Sequence, residues 1–421
     1  MKTAQMETPL TKSHLAQITV VILSLISCGC GGSGGGSGSS GGGLTTPPRP
    51  SNSLVFQQMT NFSSGGIQPG SVALADFNGD GKLDIVVSNF MSYTIVVFLN
   101  KGDGTFGDPI VTPVQITPEG LGAFAVGDFN EDGKLDLVVD AMAGSDTAIV
   151  LLGNGDGTFS QLPPIPNSFG FLRSIAVDLN GDGHLDLVNA CNGNIEMYLG
   201  NGDGTFQSPT YLPYGPAFPG AFIGITMGDF NGDKELDIVG LDLGGEPSTS
   251  GSLLFYAGNG DGTFQTPTTA PPLPFTNPSS IASADFNGDS KLDMLIGFPN
   301  TAVIAAGNGD GTFQLGSASL QTVYITQNFV DDGAMVVKTA DFDLDGKPDA
   351  VVGDSYNGIL TLVLNNGIGQ SSPPTGAKYQ FTLVSGISDI ALGDLNGDGL
   401  PDMVISNGKT NQMTVILSQK Q

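Results

Sequence analysis

The 421-residue sequence predicts an all-β chain, a seven-bladed β-propeller of four-stranded antiparallel blades whose ring is closed by an N-terminal strand. Three observations carry this prediction. A nine-residue acidic loop, Asp-x-Asn/Asp-x-Asp-x-x-x-Asp, begins at Asp76, Asp128, Asp178, Asp229, Asp285, Asp341 and Asp394, at separations of 50–56 residues. Each copy is flanked by short apolar and β-branched runs bounded by Gly, Asn and Asp, the pattern of strands joined by turns. Gly (63) and Pro (26) are the poorest helix formers, so helical bundles are disfavoured. Short strands repeating with a period of roughly 40–55 residues are the signature of propeller blades.

Residues 1–53 lie before the repeats. Lys2 and Lys12 precede the mostly apolar run 15–26, which is shorter than the about 20 residues that cross a bilayer as a helix. This is the shape of a secretory signal, assigned to residues 1–27. The run ends in Leu25-Ile26-Ser27-Cys28, which resembles the lipobox of bacterial lipoproteins. The resemblance implies cleavage before Cys28 and lipidation of its thiol. The chain would then be exported across the inner membrane and lipid-anchored in the bacterial cell envelope, touching the membrane through the lipid alone. Residues 28–53 read as a tether, with a Gly/Ser stretch at 29–43 of about 20 Å root-mean-square reach and a stiffer proline-rich end. The folded part is 54–421. Its single thiol, Cys191, has no disulfide partner and reads as a small core residue.

Within a unit the strands follow in order. In the first they are 71–75, then the acidic loop, 85–88 and 94–99, followed by a Gly-Asp-Gly-Thr-Phe turn at 102–106 and an irregular fourth strand. The last unit stops at 414–418, without turn or fourth strand. Residues 55–62 resemble the missing piece, with Phe56 in the place of Phe206, so the two chain ends are expected to complete one blade and hide its edges.

The loop offers oxygens at positions 1, 3, 5 and 9 and a main-chain carbonyl at position 7, the shell of a hard cation. The first two candidate sets are Asp76, Asn78, Asp80, Lys82 and Asp84, then Asp128, Asn130, Asp132, Lys134 and Asp136. Next come Asp178, Asn180, Asp182, His184 and Asp186, and Asp229, Asn231, Asp233, Glu235 and Asp237. The last three are Asp285, Asn287, Asp289, Lys291 and Asp293; Asp341, Asp343, Asp345, Lys347 and Asp349; and Asp394, Asn396, Asp398, Leu400 and Asp402. Position 7 varies freely, as expected if only its carbonyl takes part. Three carboxylates converging to about 5 Å repel by about 3 kcal/mol per pair at an effective dielectric near 20, which a mere turn would not require. Up to seven Ca²⁺ ions are therefore expected, calcium being favoured over magnesium by the many flexible oxygens. An EF-hand is excluded because position 12 is Val87, not Glu. Lys234 and Ser290 replace Gly at position 6 and should weaken their loops, and Asp343 makes the loop at Asp341 the most negative.

These loops and their spacing resemble the FG-GAP or VCBS repeat, a calcium-loop propeller also found at the head of integrin α chains, over residues 54–418. The resemblance implies that each loop joins the first and second strands of a blade. The acids of the second motif, Asp103, Asp156, Asp203, Asp261 and Asp310, read as hairpin-turn residues.

A net charge of −27 excludes nucleic acid as a partner. Beyond the predicted signal the one histidine, His184, lies inside an acidic loop, and no nucleophile elbow, zinc spacing or phosphate loop is present. The expectation is a non-enzymatic binding or adhesion module for a protein or glycan. The alternatives are a calcium-dependent polysaccharide lyase or hydrolase, or a purely structural envelope protein. Antiparallel strands put the acidic loops and the Gly-Asp-Gly turns on one face, so the variable connections share the other. On that face Tyr211, Tyr214 and Glu246, near blades three and four, are the candidate ligand contacts.

Overall fold

The structure is a computed structural model describing residues 54–420 except 58, 116–119, 142–146, 167–170, 192–193, 213–221, 244–250, 300, 317–319, 326–334 and 366–376. Every regular element among the described residues is a β-strand. Seven antiparallel sheets follow one another along the chain. Blade one comprises Pro69–Ala75, Asp84–Asn89, Thr94–Phe98 and Ile110–Pro113, each hydrogen-bonded to the next. Blades two to six repeat this order from Leu121, Phe171, Phe222, Ser280 and Met335. The first strands of successive blades touch all the way round, and the first strand of blade seven touches that of blade one. Seven first strands thus form the inner wall, and the ring closes.

Apolar side chains from both faces of the second and third strands fill the space between blades, which is why those strands are buried almost throughout. One cluster, for instance, joins Val86, Ile95 and Val97 of blade one to Phe124, Leu137 and Ile149 of blade two. Cys191 is fully buried, as a small core residue should be. Serines add polar stitches between neighbours: Ser88 Oγ donates to the Gly122 carbonyl at 3.2 Å and Ser406 Oγ to the Gly70 carbonyl at 2.6 Å.

Closure follows the sequence pattern in register. Blade seven takes Ile387–Gly393, Asp402–Asn407 and Gln412–Ile416 from the C-terminal end and Thr60–Ser63 from the N-terminal end. Phe56 pairs with Ser418, as Phe206 bridges to Gly200 in blade three. The segment read as one strand at 55–62 is two, because Leu54–Phe56 pairs separately with Ser418–Lys420. The break falls where the Ser418 amide turns to the Asp402 carboxylate at 2.7 Å. No helix among the described residues is long and apolar enough to cross a membrane. The predicted signal, tether and Cys28 lie outside the described residues.

Candidate cation loops

In all seven blades the acidic loop joins the first strand to the second. At the first, Asp76 Oδ1 accepts the Gly79 N–H at 2.7 Å and the Asp80 N–H at 3.1 Å, while Oδ2 accepts the Gly81 N–H at 2.8 Å. Asn78 Oδ1 accepts the Asp80 N–H, and Asp80 Oδ1 accepts the Lys82 N–H. The loop is therefore wound around the carboxylate at position 1. Asp128, Asp178, Asp229, Asp285, Asp341 and Asp394 bond the position-6 amide in the same way.

This winding needs a left-handed backbone at positions 4 and 6, as at Gly79 (φ 74°) and Gly81 (φ 83°). Lys234 (φ 74°) and Ser290 (φ 65°) hold the same conformation at position 6 against their side chains. Position 4 carries the same demand, and there Glu131 (φ 58°) and Leu344 (φ 57°) meet it, two departures that sequence reading did not single out. A non-glycine residue in that region costs about 1 kcal/mol. Lys234→Gly is accordingly expected to raise divalent-cation affinity at the loop from Asp229 several-fold, while Gly81→Lys should lower it at the loop from Asp76; site-resolved cation titration checks both.

Position 9 plays a part that the spacing alone did not show. Asp84 is fully buried, its Oδ2 accepting the Phe77 N–H at 3.0 Å and its Oδ1 the Asn100 N–H at 2.8 Å. Asp136, Asp186, Asp237, Asp293, Asp349 and Asp402 repeat both bonds, the second to Gly153, Gly200, Gly258, Gly307, Asn365 and Ser418. Each of these aspartates staples its loop to the end of its blade's third strand. The approach is close enough that a Cβ on Gly200 would lie 2.2 Å from the Leu185 carbonyl oxygen. Burial, helped by the negative charges at positions 1 and 5, pushes the Asp84, Asp136, Asp186 and Asp402 carboxyls up to about 6, against the pull of their amide bonds. Asp293 rises to about 7 for the same reason, and Asp349 to about 8 by burial beside Asp343 and Asp341, positions 3 and 1 of its loop.

A divalent cation fits this chemistry. Buried carboxylates raised above their ordinary range beside further carboxylates are what a cation would neutralise, and each carboxylate oxygen keeps lone pairs beyond its amide bond. Ligand atoms of Asp341, Asp343 and Asp345 lie within 4.8 Å of one another, in the loop read as most negative. Position 7 uses its side chain differently from loop to loop. Lys82, Lys134 and Lys347 reach the position-5 carboxylate at 2.9, 3.1 and 3.0 Å. His184 Nδ1 instead meets Glu131 of the neighbouring loop, which raises the imidazole's affinity for a proton.

The turn acids are occupied locally. Asp103 Oδ1 accepts both the N–H and the Oγ1–H of Thr105, at 3.0 and 2.6 Å, and Asp156, Asp203, Asp261 and Asp310 do the same with Thr158, Thr205, Thr263 and Thr312. Those bonds hold each carboxyl below its ordinary range. The same turns clasp the preceding blade. The amides of Gly204, Gly262 and Gly311 donate to the carbonyls of Phe129, Leu179 and Phe230, position 2 of the loop one blade back. Asn365 Nδ2 does this for Phe286 and Asn100 Nδ2 for Leu395. The closing Gly of the Gly-Asp-Gly turn, or the Asn at its head in blades one and six, was the sequence signal for this clasp.

Of the candidate ligand contacts, Tyr211 sits on the outer strand of blade three, 47% exposed and paired with Glu196. Tyr214 and Glu246 lie outside the described residues. Exposed large apolar side chains on the face opposite the loops include Ile67 and Met91 at blade one and Tyr356 and Val384 between blades six and seven.

The FG-GAP-like repeat pattern matches residues 76–139, 178–240, 243–296, 285–352 and 341–405. Among curated proteins, Drosophila melanogaster integrin alpha-PS3 is 32% identical over 152 residues, covering 31% of this chain and 14% of its own length. Integrin alpha-PS5 of the same organism is 34% identical, with 31% and 15% covered. Mouse cartilage acidic protein 1 is 30% identical over 129 residues, with 28% and 20% covered. The chain thus spans no more than a fifth of these relatives. Among solved structures, an Agrocybe aegerita lectin that recognises non-reducing terminal N-acetylglucosamine aligns with a TM-score of 0.52 at 21% identity, covering 82% of this chain and 86% of the lectin. A chain of the BBS1N–ARL6DN complex aligns with a TM-score of 0.54 at 14% identity, covering 86% and 97%. Both likenesses are of fold alone.

Proposed function

The chain belongs to the FG-GAP-like repeat family, and on that premise we propose that it is a calcium-stabilised, lipid-anchored binding module of the cell envelope that presents a rigid propeller to a protein ligand. The observation that supports it best is the sevenfold acidic loop with its buried position-9 aspartate, which builds a scaffold. Positions 1, 3, 5 and 9, with the position-7 carbonyl, would hold calcium. The ion would supply the positive charge that the buried carboxylates lack. The chain's own residues do the rest: the position-1 carboxylate winds the loop, and the position-9 carboxylate fastens it to the third strand.

Protein recognition is preferred over glycan recognition because the sequence matches are to integrin alpha chains, whereas the lectin shares only the fold. Lipid attachment at Cys28 rests on the lipobox-like run and the Gly/Ser tether. Equilibrium dialysis is expected to show more than four calcium ions per chain, and fewer than two would sink the calcium part. Cys28→Ala should release a folded chain from the membrane fraction; continued fatty-acid labelling of that variant would refute the anchor. Surface crosslinking run beside a glycan array separates the ligand classes, and binding confined to the array would overturn the protein reading.

A further inference from the structure

The folded region of this strongly acidic chain contains one arginine, Arg173. It stands near the start of the first strand of blade three, Phe171–Val177, and so at the end of the inner wall away from the acidic loops. There it lines a cavity of about 240 Å³ in the mouth of the central channel, together with Gln68, Ser71, Phe90, Leu121 and Ser388 from blades one, two and seven. Among the described residues no carboxylate lies within ion-pair distance of its guanidinium. The acid closest to that role, the buried Asp389, is already served: Lys338 Nζ lies 3.3 Å from its Oδ1, and the Ile390 and Val72 amides donate to it. Burial alone would raise the Asp389 carboxyl, but the Lys338 and Arg173 charges together with the Ile390 and Val72 amides outweigh it and hold the group below its ordinary range. Among the described residues two cations therefore face this one anion, in a chain that elsewhere carries a large negative excess.

We propose that this channel mouth binds a single carboxylate carried on an apolar body about the size of one amino-acid residue, anchored by Arg173. The guanidinium fork matches a carboxylate in two parallel hydrogen bonds. The lining splits accordingly. Ser71, Ser388 and Gln68 bring further polar groups, while Phe90 supplies an apolar wall, with the exposed Ile67 and Met91 next in sequence to Gln68 and Phe90. The volume is below the roughly 300–1,000 Å³ of clefts that take drug-sized ligands, so a single residue or a small acid is the fitting occupant. A polyanion is disfavoured by the net charge of −27. This deepens the binding-module reading and rests on it.

The test is saturation-transfer NMR on the full chain in calcium, with N-acetyl-leucine, Gly-Gly-Leu with a free C-terminus, N-acetyl-leucinamide and glucuronate as probes. Binding of N-acetyl-leucine, of the tripeptide or of both is expected, the pattern telling a free acid from a chain end. The amide and the sugar acid should bind at least about tenfold more weakly, and Arg173→Met should weaken the binding acid by a similar factor at an unchanged melting temperature. Equal binding of acid and amide, equal binding of glucuronate, or an Arg173→Met variant that titrates like the parent overturns the proposal. Should that variant not fold, the acid-against-amide comparison on the parent chain decides alone. A chain that takes up calcium yet ignores both leucine acids refutes this site and leaves the calcium reading standing.

Discussion

Withdrawing calcium is expected to lower the melting temperature by about 10 °C or more at pH 8 and by much less at pH 5. The sign comes from the position-9 aspartates. Their ordinary value is 3.8, and in the folded, metal-free chain it rises to about 6 for Asp84, Asp136, Asp186 and Asp402, about 7 for Asp293 and about 8 for Asp349. Between pH 4 and 8 the unfolded chain has released protons that the folded one still holds, so metal-free stability falls as pH rises. Below pH 4 both states are protonated and the difference vanishes. After solvent screening each of these groups is worth about 1–2 kcal/mol, and several act together. Calcium at the proposed sites would run the other way, because it would bind deprotonated carboxylates and so contribute most at high pH, about 2.7 kcal/mol per site at a hundredfold excess over its Kd. At the 2–4 °C per kcal/mol of a domain of about 150–250 residues, and less for this longer chain, the sum reaches the stated shift. Melting curves at pH 5 and pH 8, in calcium and in chelator, check it. A chelated chain that is equally stable at both pH values would sink the argument.

Deleting residues 54–63 is expected to abolish the folded monomer. That segment supplies the outer strand of blade seven and the pairing of Leu54–Phe56 with Ser418–Lys420. It also reaches both neighbours: the Phe62 ring packs on Phe98 and Phe106 of blade one at 5.0 and 5.9 Å, and Phe56 on Tyr379 and Phe381 of blade six at 5.1 and 5.0 Å. The Phe56 contacts sit at the junction of blades six and seven, where blade seven has no Gly-Asp-Gly turn to clasp the preceding loop. Without the segment, the edge of Gln412–Ile416 would be left open to pair with other chains. Aggregation or loss of the cooperative melt is the expected result of gel filtration and calorimetry on the deletion. The milder Phe56→Ala and Phe62→Ala should each cost about 2–4 kcal/mol. A deletion that stays monomeric and melts within a few degrees of the parent would show that the ring closes by other means.

Blade number, loop position and closing register were legible because each is written as a repeated local pattern. The Phe of the turn motif could be matched between Phe206 and Phe56 because the same pairing demands the same residue. The outer strands were less legible. Thr268–Thr269 is two residues long, and blade two's edge is divided into Phe159–Gln161 and Ile165–Pro166. An edge strand is half solvated and tolerates proline, so neither alternation nor length marks it. The double role of the position-9 aspartates was hidden for another reason. One carboxylate can serve a metal and two amides at once, and only burial, zero at Asp84, reveals the second service. Arg173 escaped notice because a lone arginine acquires meaning only when the fold brings Ser71, Leu121 and Ser388 around it from blades distant in sequence.

Because the amide of Gly204 donates to Phe129 and not within its own blade, its hydrogen-exchange rate reports on the loop from Asp128, one blade upstream. Gly262 reports in the same offset way on the loop from Asp178, and Gly311 on the loop from Asp229. The chain therefore carries three internal gauges of loop order, each read on a neighbour in one rotational sense. The loop from Asp229 bears Lys234 in a left-handed conformation that favours glycine. The loop from Asp128 bears Glu131 in the same conformation, whereas the loop from Asp178 has glycine at both left-handed positions. As calcium is drawn down, Gly311 and Gly204 should lose protection while Gly262 still keeps its own, and the ring should loosen loop by loop instead of all at once.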